Sequence, residues 1–311
     1  HILFGTPLPM NGPKHEAGSS ADAAALPAPD THKLTSIRPW ASNLGVFLWI
    51  AYLLIVSLFA VTGGHLAPYD PTAQLVTARL LPPLSESSRG FHLLGTDQLG
   101  RDVLSNLIAG ARLTLFIGVS STFVGMIIGV VLGMLAGFYG GMVDRLVMRL
   151  TEAQTAMPMF LVAIFFLTVI GPTILNVMII LPTLVWPAFA RLVRAESMRF
   201  RACLFVEAAV ASGCTDWAVL WYHILPNLAP RIAVLAVIEI GHVMLAEAGL
   251  SFLGVGVQPP QSTWGLLIAR GRPYLAVAWW LAIMPGLMLG LTVLALNMLS
   301  RHFAKLRGAA A

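Results

Sequence analysis

Long apolar runs separated by polar segments dominate the chain after about residue 43. Six of these runs approach the roughly 20 residues that an α-helix needs to cross the hydrocarbon core of a bilayer. Backbone polar groups find no water in that core, so runs of this length are expected to be helices. The pattern therefore predicts an all-α membrane protein with about six transmembrane helices, at residues 44–61, 113–138, 153–170, 173–189, 228–250 and 279–299.

Glycines and prolines inside these runs predict how the helices pack. The second run has five glycines four or seven residues apart, which places them on one helix face: Gly118, Gly125, Gly129, Gly133 and Gly137. Small residues at this spacing let two helices approach closely in lipid. The fourth run contains Pro182 and Pro187, and a proline inside a helix removes a backbone donor. We therefore expect a tightly packed second helix and a kinked fourth helix.

Composition and charge exclude several classes of protein. The chain of 311 residues is 57% hydrophobic and only 11% charged, which argues against both a soluble globular domain and a disordered chain. The net charge of +5 is better explained by membrane topology than by nucleic-acid binding, because cytoplasmic loops collect Lys and Arg. If the N-terminus is cytoplasmic, 13 of the 19 basic residues lie on the inner side. Both termini are therefore expected in the cytoplasm.

The remaining segments divide into a tail and three long loops. Residues 1–43 are rich in Ala, Pro, Ser and Gly, which predicts a flexible cytoplasmic N-terminal tail before a transmembrane domain at 44–311. Two long loops, 62–112 and 251–278, fall on the outer side. A third, 191–227, falls on the inner side.

The inner loop carries the most informative local pattern. An Ala-rich segment, 206–212, ends at Gly213, which is a typical stop signal for a helix. An amphipathic segment, 217–225, follows, and Pro226 is expected to end it. The pattern predicts two short helices at the cytoplasmic face. Such helices can dock into the groove of a soluble partner or lie on the lipid surface.

Residues of this loop resemble the EAA loop of ABC-importer permeases. The resemblance is carried by Glu207, Ala208, Ala209, Gly213, Leu225 and Pro226 at their spacing. Three further strings, at 94–102, 140–149 and 250–265, resemble C-type permeases of the dipeptide, oligopeptide and nickel branch. The resemblance implies a type I ABC-importer permease bundle in a bacterial inner membrane. It also implies that the six EAA residues form the coupling helices that contact the ATPase.

The same resemblance implies the function and the partners. The chain is expected to translocate di- or oligopeptides, with nickel or metal–chelate uptake as an alternative. Its partners would be a homologous second permease, two subunits that bind ATP and Mg, and an extracytoplasmic binding protein. No cofactor and no catalytic site are expected in the chain itself, since the sequence contains neither a Walker A string nor an HExxH motif. A proton-coupled secondary transporter is the alternative from another class.

Ionisable residues inside apolar runs are candidates for function, because burying a charge in lipid is costly. Glu239 and His242 share one face of the fifth helix, and Glu247 follows near its outer end. We expect these three residues to line the translocation path, with a buried polar contact between subunits or helices as the alternative for Glu239 and His242. Glu239 and His242 alone are too few ligands for a metal site. Glu152 is expected to be structural, neutralised by Arg149 one turn earlier.

The first outer loop contains a charged cluster of its own. Asp97, Arg101 and Asp102 can pair with one another and hold this loop in place, with direct substrate contact as the alternative. Gly95 and Gly100 in the same string are expected to permit tight turns.

Overall fold

A computed structural model describes residues 39–308 of the chain, with side chains from 45 to 304. Most of the predicted tail lies outside this range, although residues 39–43 already belong to the first helix. The elements are α1 (Pro39–Thr62), β1 (Ser85–Ser87), β2 (Gly90–His92), α2 (Val103–Tyr139), α3 (Gly141–Ala156), α4 (Met159–Ile170), α5 (Ile174–Arg201), α6 (Leu204–Ala211), α7 (Asp216–Ala218), α8 (Leu225–Phe252), α9 (Trp264–Gly271) and α10 (Trp280–Gly308). Strands β1 and β2 form one antiparallel hairpin.

Within residues 39–308, five helical segments are long and apolar enough to cross a membrane. The bent pair of α3 and α4 makes a sixth if it counts as one span. The prediction of an all-α bundle with about six spans is therefore confirmed. Helix α2 is longer than expected, at 37 residues, and begins at Val103. At 1.5 Å per residue it extends for roughly 55 Å, which exceeds the hydrocarbon thickness of a bilayer.

The prediction of one continuous third span was wrong. Helices α3 and α4 are bent by 83° at a break between Ala156 and Met159. Pro158 caps α4, and the residue before it, Met157, has the extended conformation that a following proline favours. Helix α4 has only 12 residues, or about 18 Å, so it crosses the bilayer only together with part of the preceding segment.

The expectation that Pro226 ends a helix was also wrong. Helix α7, a π-helical turn at Val219–Ile224 and helix α8 form one continuous segment of 37 residues, Asp216–Phe252. Pro226 lies in the first turn of α8, directly after the π-helical turn. A proline is tolerated there, because the wider turn before it accommodates the missing backbone donor.

The glycine face of α2 packs against α5, as the spacing predicted. A Cβ atom on Gly133 would lie 2.6 Å from the carbonyl oxygen of Ala190, and one on Gly137 would lie 2.5 Å from that of Arg194. Gly118 instead faces Met244 of α8. Contacts that advance together along both helices show that α2 and α5 run parallel. The α3–α4 pair therefore returns the chain across the bundle.

The loops gather at two opposite ends of the bundle. One end is formed by residues 63–102 and 253–279, which we call the cap. The other end holds residues 202–224, which we call the α6 segment, between the end of α5 and the start of α8. The hydroxyl of Ser300 donates to the carbonyl of Val234, so the last turns of α10 lie at the α6 end. The first residues of α1 lie at that end as well, because α1 finishes at the cap beside Gly63.

Two apolar clusters hold the bundle together. The larger one joins α2, α4, α5, α6 and α8 and contains Phe189 and Leu220. The second joins α1, α2, α8, α9 and α10 around Trp264. Helix α1 itself leaves most of its apolar side chains exposed, including Leu54 and Leu58. An apolar surface of this extent is suited to contact with lipid.

Candidate functional site

Helix α6 is anchored to the bundle by one face only. Val206 and Ala209 are buried in the larger apolar cluster, whereas Glu207 and Ala208 are exposed. Of the predicted coupling residues, Ala209 therefore faces the protein's own core. Leu225 is half-buried and Pro226 is exposed at the start of α8. The structure thus presents Glu207 and Ala208 on the outer face of a helix whose other face is fixed.

Gly213 ends α6 by a Schellman motif. Its amide donates to the carbonyl of Val210 at 3.0 Å, and the amide of Cys214 donates to the carbonyl of Ala209 at 3.1 Å. The motif requires a left-handed residue, and Gly213 has φ +84°. Nothing lies within 4 Å of the position that its Cβ would occupy. The predicted stop signal is confirmed, and the space beside it is open to a partner.

Large apolar and aromatic side chains are exposed in the same segment as this glycine. Leu204 is 83% exposed and Tyr222 is 78% exposed. Trp217 and Trp221 are exposed too, with ring centroids 5.6 Å apart. All four belong to the α6 segment, at the end of the bundle where the helices leave the apolar core. A set of exposed aromatic and apolar residues at one end indicates an interaction surface.

Polar contacts join three of the long helices to one another near the α6 segment. Arg231 of α8 pairs with Glu196 of α5. Arg201, at the end of α5, donates to the carbonyl of Phe138 at the end of α2 and lies 5.6 Å from the centre of its ring. These contacts therefore link α2, α5 and α8 at the end of the bundle that holds the α6 segment.

A further ion pair was not foreseen from the sequence. Asp144 of α3 and Arg194 of α5 form two hydrogen bonds, one of them at 2.6 Å from Nη2 to Oδ2. The two residues are 50 positions apart, so no local spacing could reveal their contact. The available signal was a pair of opposite charges at the same predicted membrane boundary.

Glu239 and His242 lie together beside an open cavity of about 370 Å³ between α4, α5 and α8. Nδ1 of His242 is 3.2 Å from Oε2 of Glu239. Glu239 is 8% exposed, whereas the His242 side chain is 58% exposed. The predicted pairing on one helix face is therefore observed.

Glu247 does not share this cavity. Its Oε1 accepts hydrogen bonds from Ser251 at 2.7 Å and from Thr263 at 2.9 Å, and the residue is almost completely buried. Thr263 is the N-cap of α9 in the cap. The structure thus places Glu247 in a contact between α8 and α9, away from the cavity that Glu239 and His242 border, and the expectation that it lines the path with them is not met there.

Two members of the predicted charged cluster pair with each other. Arg101 contacts Asp97 through Nε at 2.7 Å and Nη2 at 2.6 Å, and Asp97 also accepts the amides of Leu99 and Arg101. Burial and the positive charge of Arg101 lower the pKa of the nearby Arg270 guanidinium, while Asp97 acts in the opposite direction. Asp97 is therefore the central acceptor of this part of the cap.

Asp102 does not join that pair, contrary to the expectation. It caps α2 by accepting from the amide and hydroxyl of Ser105 at 2.8 and 2.7 Å, and its other oxygen lies 2.9 Å from Nδ1 of His92. An aspartate at an N-cap turns toward free helix amides, which directs it away from Arg101. Gly95 and Gly100 adopt positive φ beside the backbone of Leu81 and Leu75, so the predicted tight turns are confirmed.

The predicted Arg149–Glu152 contact is absent from the described part of α3. Both side chains are exposed, and neither is within 4.0 Å of an opposite charge there. Exposed pairs of this kind gain little from forming, because water solvates both charges.

The chain was compared with known proteins. The profile of the family described as "Binding-protein-dependent transport system inner membrane component" matches residues 129–307, more than half of the chain. The chain is 37% identical over 286 residues to the di/tripeptide transport system permease protein of Pseudomonas aeruginosa, covering 92% of this chain and 93% of that protein.

Two further relatives carry related descriptions. The glutathione transport system permease protein of Pectobacterium atrosepticum is 38% identical over 80% of this chain and 81% of its own length. The dipeptide transport system permease protein of Escherichia coli K12 is 39% identical over 83% and 86%. A solved methionine ABC transporter, MetNI, aligns at 18% identity and a TM-score of 0.49 over 63% of this chain and 95% of that chain.

These relatives are permease proteins, which are transport components and not enzymes in themselves. The long apolar helices of this chain and the description of the matching family agree with a multi-pass protein of the inner membrane. Because the family profile covers more than half of the chain and the relatives match it over most of their length, this chain belongs to the family of binding-protein-dependent transport system inner membrane components.

Proposed function

We propose that this chain is the permease subunit of an ATP-driven importer of short peptides. The relatives named above are described as permeases for di/tripeptides, glutathione and dipeptides, and each matches at least four-fifths of this chain. All three substrates are short peptides, so we carry this substrate class over and leave finer selectivity to the binding protein.

The α6 segment is the docking site for an ATPase subunit in this proposal. The observation that carries it is the exposed apolar and aromatic surface beside Glu207, Ala208 and Gly213. A short helix with an exposed face and open space at its end fits the concave surface of a soluble partner. ATP and Mg would be bound by that partner, and this chain contributes the helix that moves with it.

The coupling would be mechanical. When the ATPase subunits close, α6 would shift as a rigid body, because Val206 and Ala209 fix it to the bundle. The ion pair between Glu196 and Arg231 joins α5 to α8, and Arg201 joins α5 to α2. Helices α5 and α8 border the cavity at Glu239 and His242, so the movement would change access to that cavity.

The remaining partners follow from the arrangement of the two ends. We propose that both termini and the α6 segment are cytoplasmic, which the excess of basic residues on that side supports. The cap would then face the extracytoplasmic binding protein. A homologous second permease would supply the other half of the path, and two ATPase subunits would complete the importer.

The alternatives receive no specific support. No group of three or more potential metal ligands occurs within residues 39–308, and the named relatives are peptide permeases, so nothing favours nickel or metal–chelate uptake over peptides. A proton-coupled secondary transporter would act alone, whereas this family is defined by its dependence on a binding protein.

A matched pair of glycine variants tests the coupling role. Gly213 and Gly254 both have positive φ, end a helix with the same pair of backbone hydrogen bonds and have open space around the Cβ position, but Gly254 lies in the cap. Leucine at either position carries a similar left-handed strain, of about 1–2 kcal/mol. We expect Gly213→Leu to reduce ATP-driven peptide uptake in proteoliposomes by about tenfold or more and to weaken co-purification of the ATPase subunits, because it blocks a contact at the centre of an interface. Gly254→Leu should leave co-purification intact. Normal assembly and uptake in Gly213→Leu would refute the coupling role.

A further inference from the structure

The cavity between α4, α5 and α8 has an apolar wall with one polar patch, formed by Glu239 and His242. Its lining includes Phe160, Leu184 and Val185 opposite Glu239 and His242. The described lining contains no Lys or Arg. It also includes Met159, whose thioether sulfur is a soft electron-pair donor. Among the described residues, therefore, no Lys or Arg of this lining supplies a counter-charge to the carboxylate.

The carboxylate of Glu239 is held by one contact and open at the other oxygen. Oε2 is within 3.2 Å of Nδ1 of His242. Oε1 has no hydrogen-bond partner within the described residues, and it is accessible to solvent. Oε2 of Glu247 also has no partner among these residues, but protein atoms enclose it completely. Glu239 is thus a buried acid with one oxygen that a molecule in the cavity can reach.

The position along α8 fits a translocation path. Glu239 is 14 residues from the first residue of α8 and 13 from the last. It therefore lies roughly 20 Å from either end, near the middle of the span. A carboxylate this deep in a membrane protein is costly unless a cation or water accompanies it.

We propose that Glu239, positioned by His242, binds the α-ammonium group of a peptide as it passes through the cavity. This inference rests on the proposed function and names the chemical group recognised by the site. The α-ammonium is shared by unmodified peptides of every sequence and is largely protonated near neutral pH, with an ordinary pKa of roughly 7.7–8.0. The apolar wall accepts varied side chains without selecting among them. A volume of about 370 Å³ is sufficient for a small peptide.

Two features favour an ammonium over a metal ion. Glu239 and His242 supply two ligands, whereas a zinc site with tetrahedral geometry uses four. A single carboxylate that already contacts a histidine also binds a cation weakly enough to release it. A permease needs this property, because its cargo must leave the site.

A cysteine reporter in the same cavity tests the proposal. Leu245 lines the cavity without belonging to the proposed contact, and Leu245→Cys would be made in a full complex in which Cys203 and Cys214 are replaced by Ser. Labelling rates are compared for a cationic trimethylammonium and an anionic sulfonate methanethiosulfonate reagent. We expect the ratio of the cationic to the anionic labelling rate to be about tenfold higher at this cysteine than at a free thiol in solution. The reason is that a carboxylate about two turns away attracts the cationic reagent. Glu239→Gln should remove this preference, whereas Glu152→Gln, the same change at an exposed acid of α3, should retain it.

Protection by peptides identifies the bound group. The binding protein is omitted, and dialanine or N-acetyl-dialanine is added at millimolar concentration. Dialanine should slow labelling of Leu245→Cys, N-acetyl-dialanine should not, and Glu239→Gln should abolish the protection. Equal protection by both peptides, no protection by either, or an unchanged reagent preference in Glu239→Gln would overturn the proposal. ATP-driven uptake by the wild-type complex is measured in parallel, since its absence would refute the proposed function separately.

Discussion

The cap and the α6 segment are built in opposite ways. In the cap, buried carboxylates accept hydrogen bonds from the chain itself, as with Asp97 and Asp102, and Glu247 of α8 accepts one from Thr263 of the cap. In the α6 segment, Leu204 and Tyr222 are exposed although they are large and apolar or aromatic. The cap is held by contacts within the chain, whereas the α6 segment leaves an exposed surface that an ATPase subunit covers in our proposal. This difference predicts that cap variants change stability and that α6 variants change assembly.

The largest loss of stability is expected from a variant at Asp102 in the cap. Asp102→Ala removes the cap of α2 and leaves His92 buried without its acidic partner. We expect it to reduce the stability of the purified permease by about 3 kcal/mol, measured by thermal or denaturant unfolding. Asp70→Ala removes an exposed acid from the same cap and should change stability by less than about 0.5 kcal/mol. Equal effects of the two variants would mean that the cap does not depend on its buried contacts.

A second cap prediction separates packing from charge at Glu247. Glu247→Ala removes the acceptor for Ser251 and Thr263 and should cost about 2 kcal/mol. Glu247→Gln keeps one carbonyl oxygen for both donors, so its unfolding transition should stay close to that of the wild type. If Gln is as damaging as Ala, the charge of Glu247 is essential and a structural role alone is insufficient.

Variants of exposed side chains in the α6 segment should weaken assembly with the ATPase subunits and leave the stability of the permease almost unchanged. Leu204→Ala should leave the stability of the isolated permease within about 0.5 kcal/mol of the wild type, because the side chain is exposed. Its affinity for the ATPase subunits should fall about tenfold, measured by titration in detergent. Leu84→Ala, at a comparably exposed leucine in the cap, is the matched control and should leave that affinity unchanged.

The smallest effect is expected from a single methyl group. Gly213→Ala places a Cβ on a left-handed residue and should weaken the end of α6 by about 1 kcal/mol. Gly290→Ala adds the same methyl group within α10, where space is open and φ is ordinary, and should stabilise the protein by about 0.5–1 kcal/mol. Hydrogen exchange of the α6 amides and unfolding temperatures would distinguish the two. Opposite signs are the expected result.

Sequence patterns predicted the features that arise from local spacing. The six spans, the glycine face of α2 and the stop at Gly213 each depend on neighbours along one helix. The hydrophobic pattern does not show the break at Pro158, because apolar residues continue on both sides of it. The proline itself is the sequence feature that indicates a break. Pro226 does not end the helix as expected, because the π-helical turn before it lets the helix continue past the proline.

Contacts between distant parts of the chain could not be predicted in the same way. His92 meets Asp102 because a hairpin returns beside the start of α2, and Arg194 meets Asp144 because α3 folds back at the end of α2. Neither pair follows from a helical repeat. Glu239 and His242, three residues apart on one helix, were predicted to act together and do so in the structure.

The most direct test of the docking role is the reactivity of one cysteine. Ala208→Cys, on the exposed face of α6, and Leu84→Cys, in the cap, are labelled with a maleimide in a background without Cys203 and Cys214. In the permease alone, both positions should react readily. In the complex with the ATPase subunits, Ala208→Cys should become strongly protected while Leu84→Cys stays reactive. Equal reactivity of Ala208→Cys with and without the ATPase subunits would contradict the assignment of the α6 segment as their docking site.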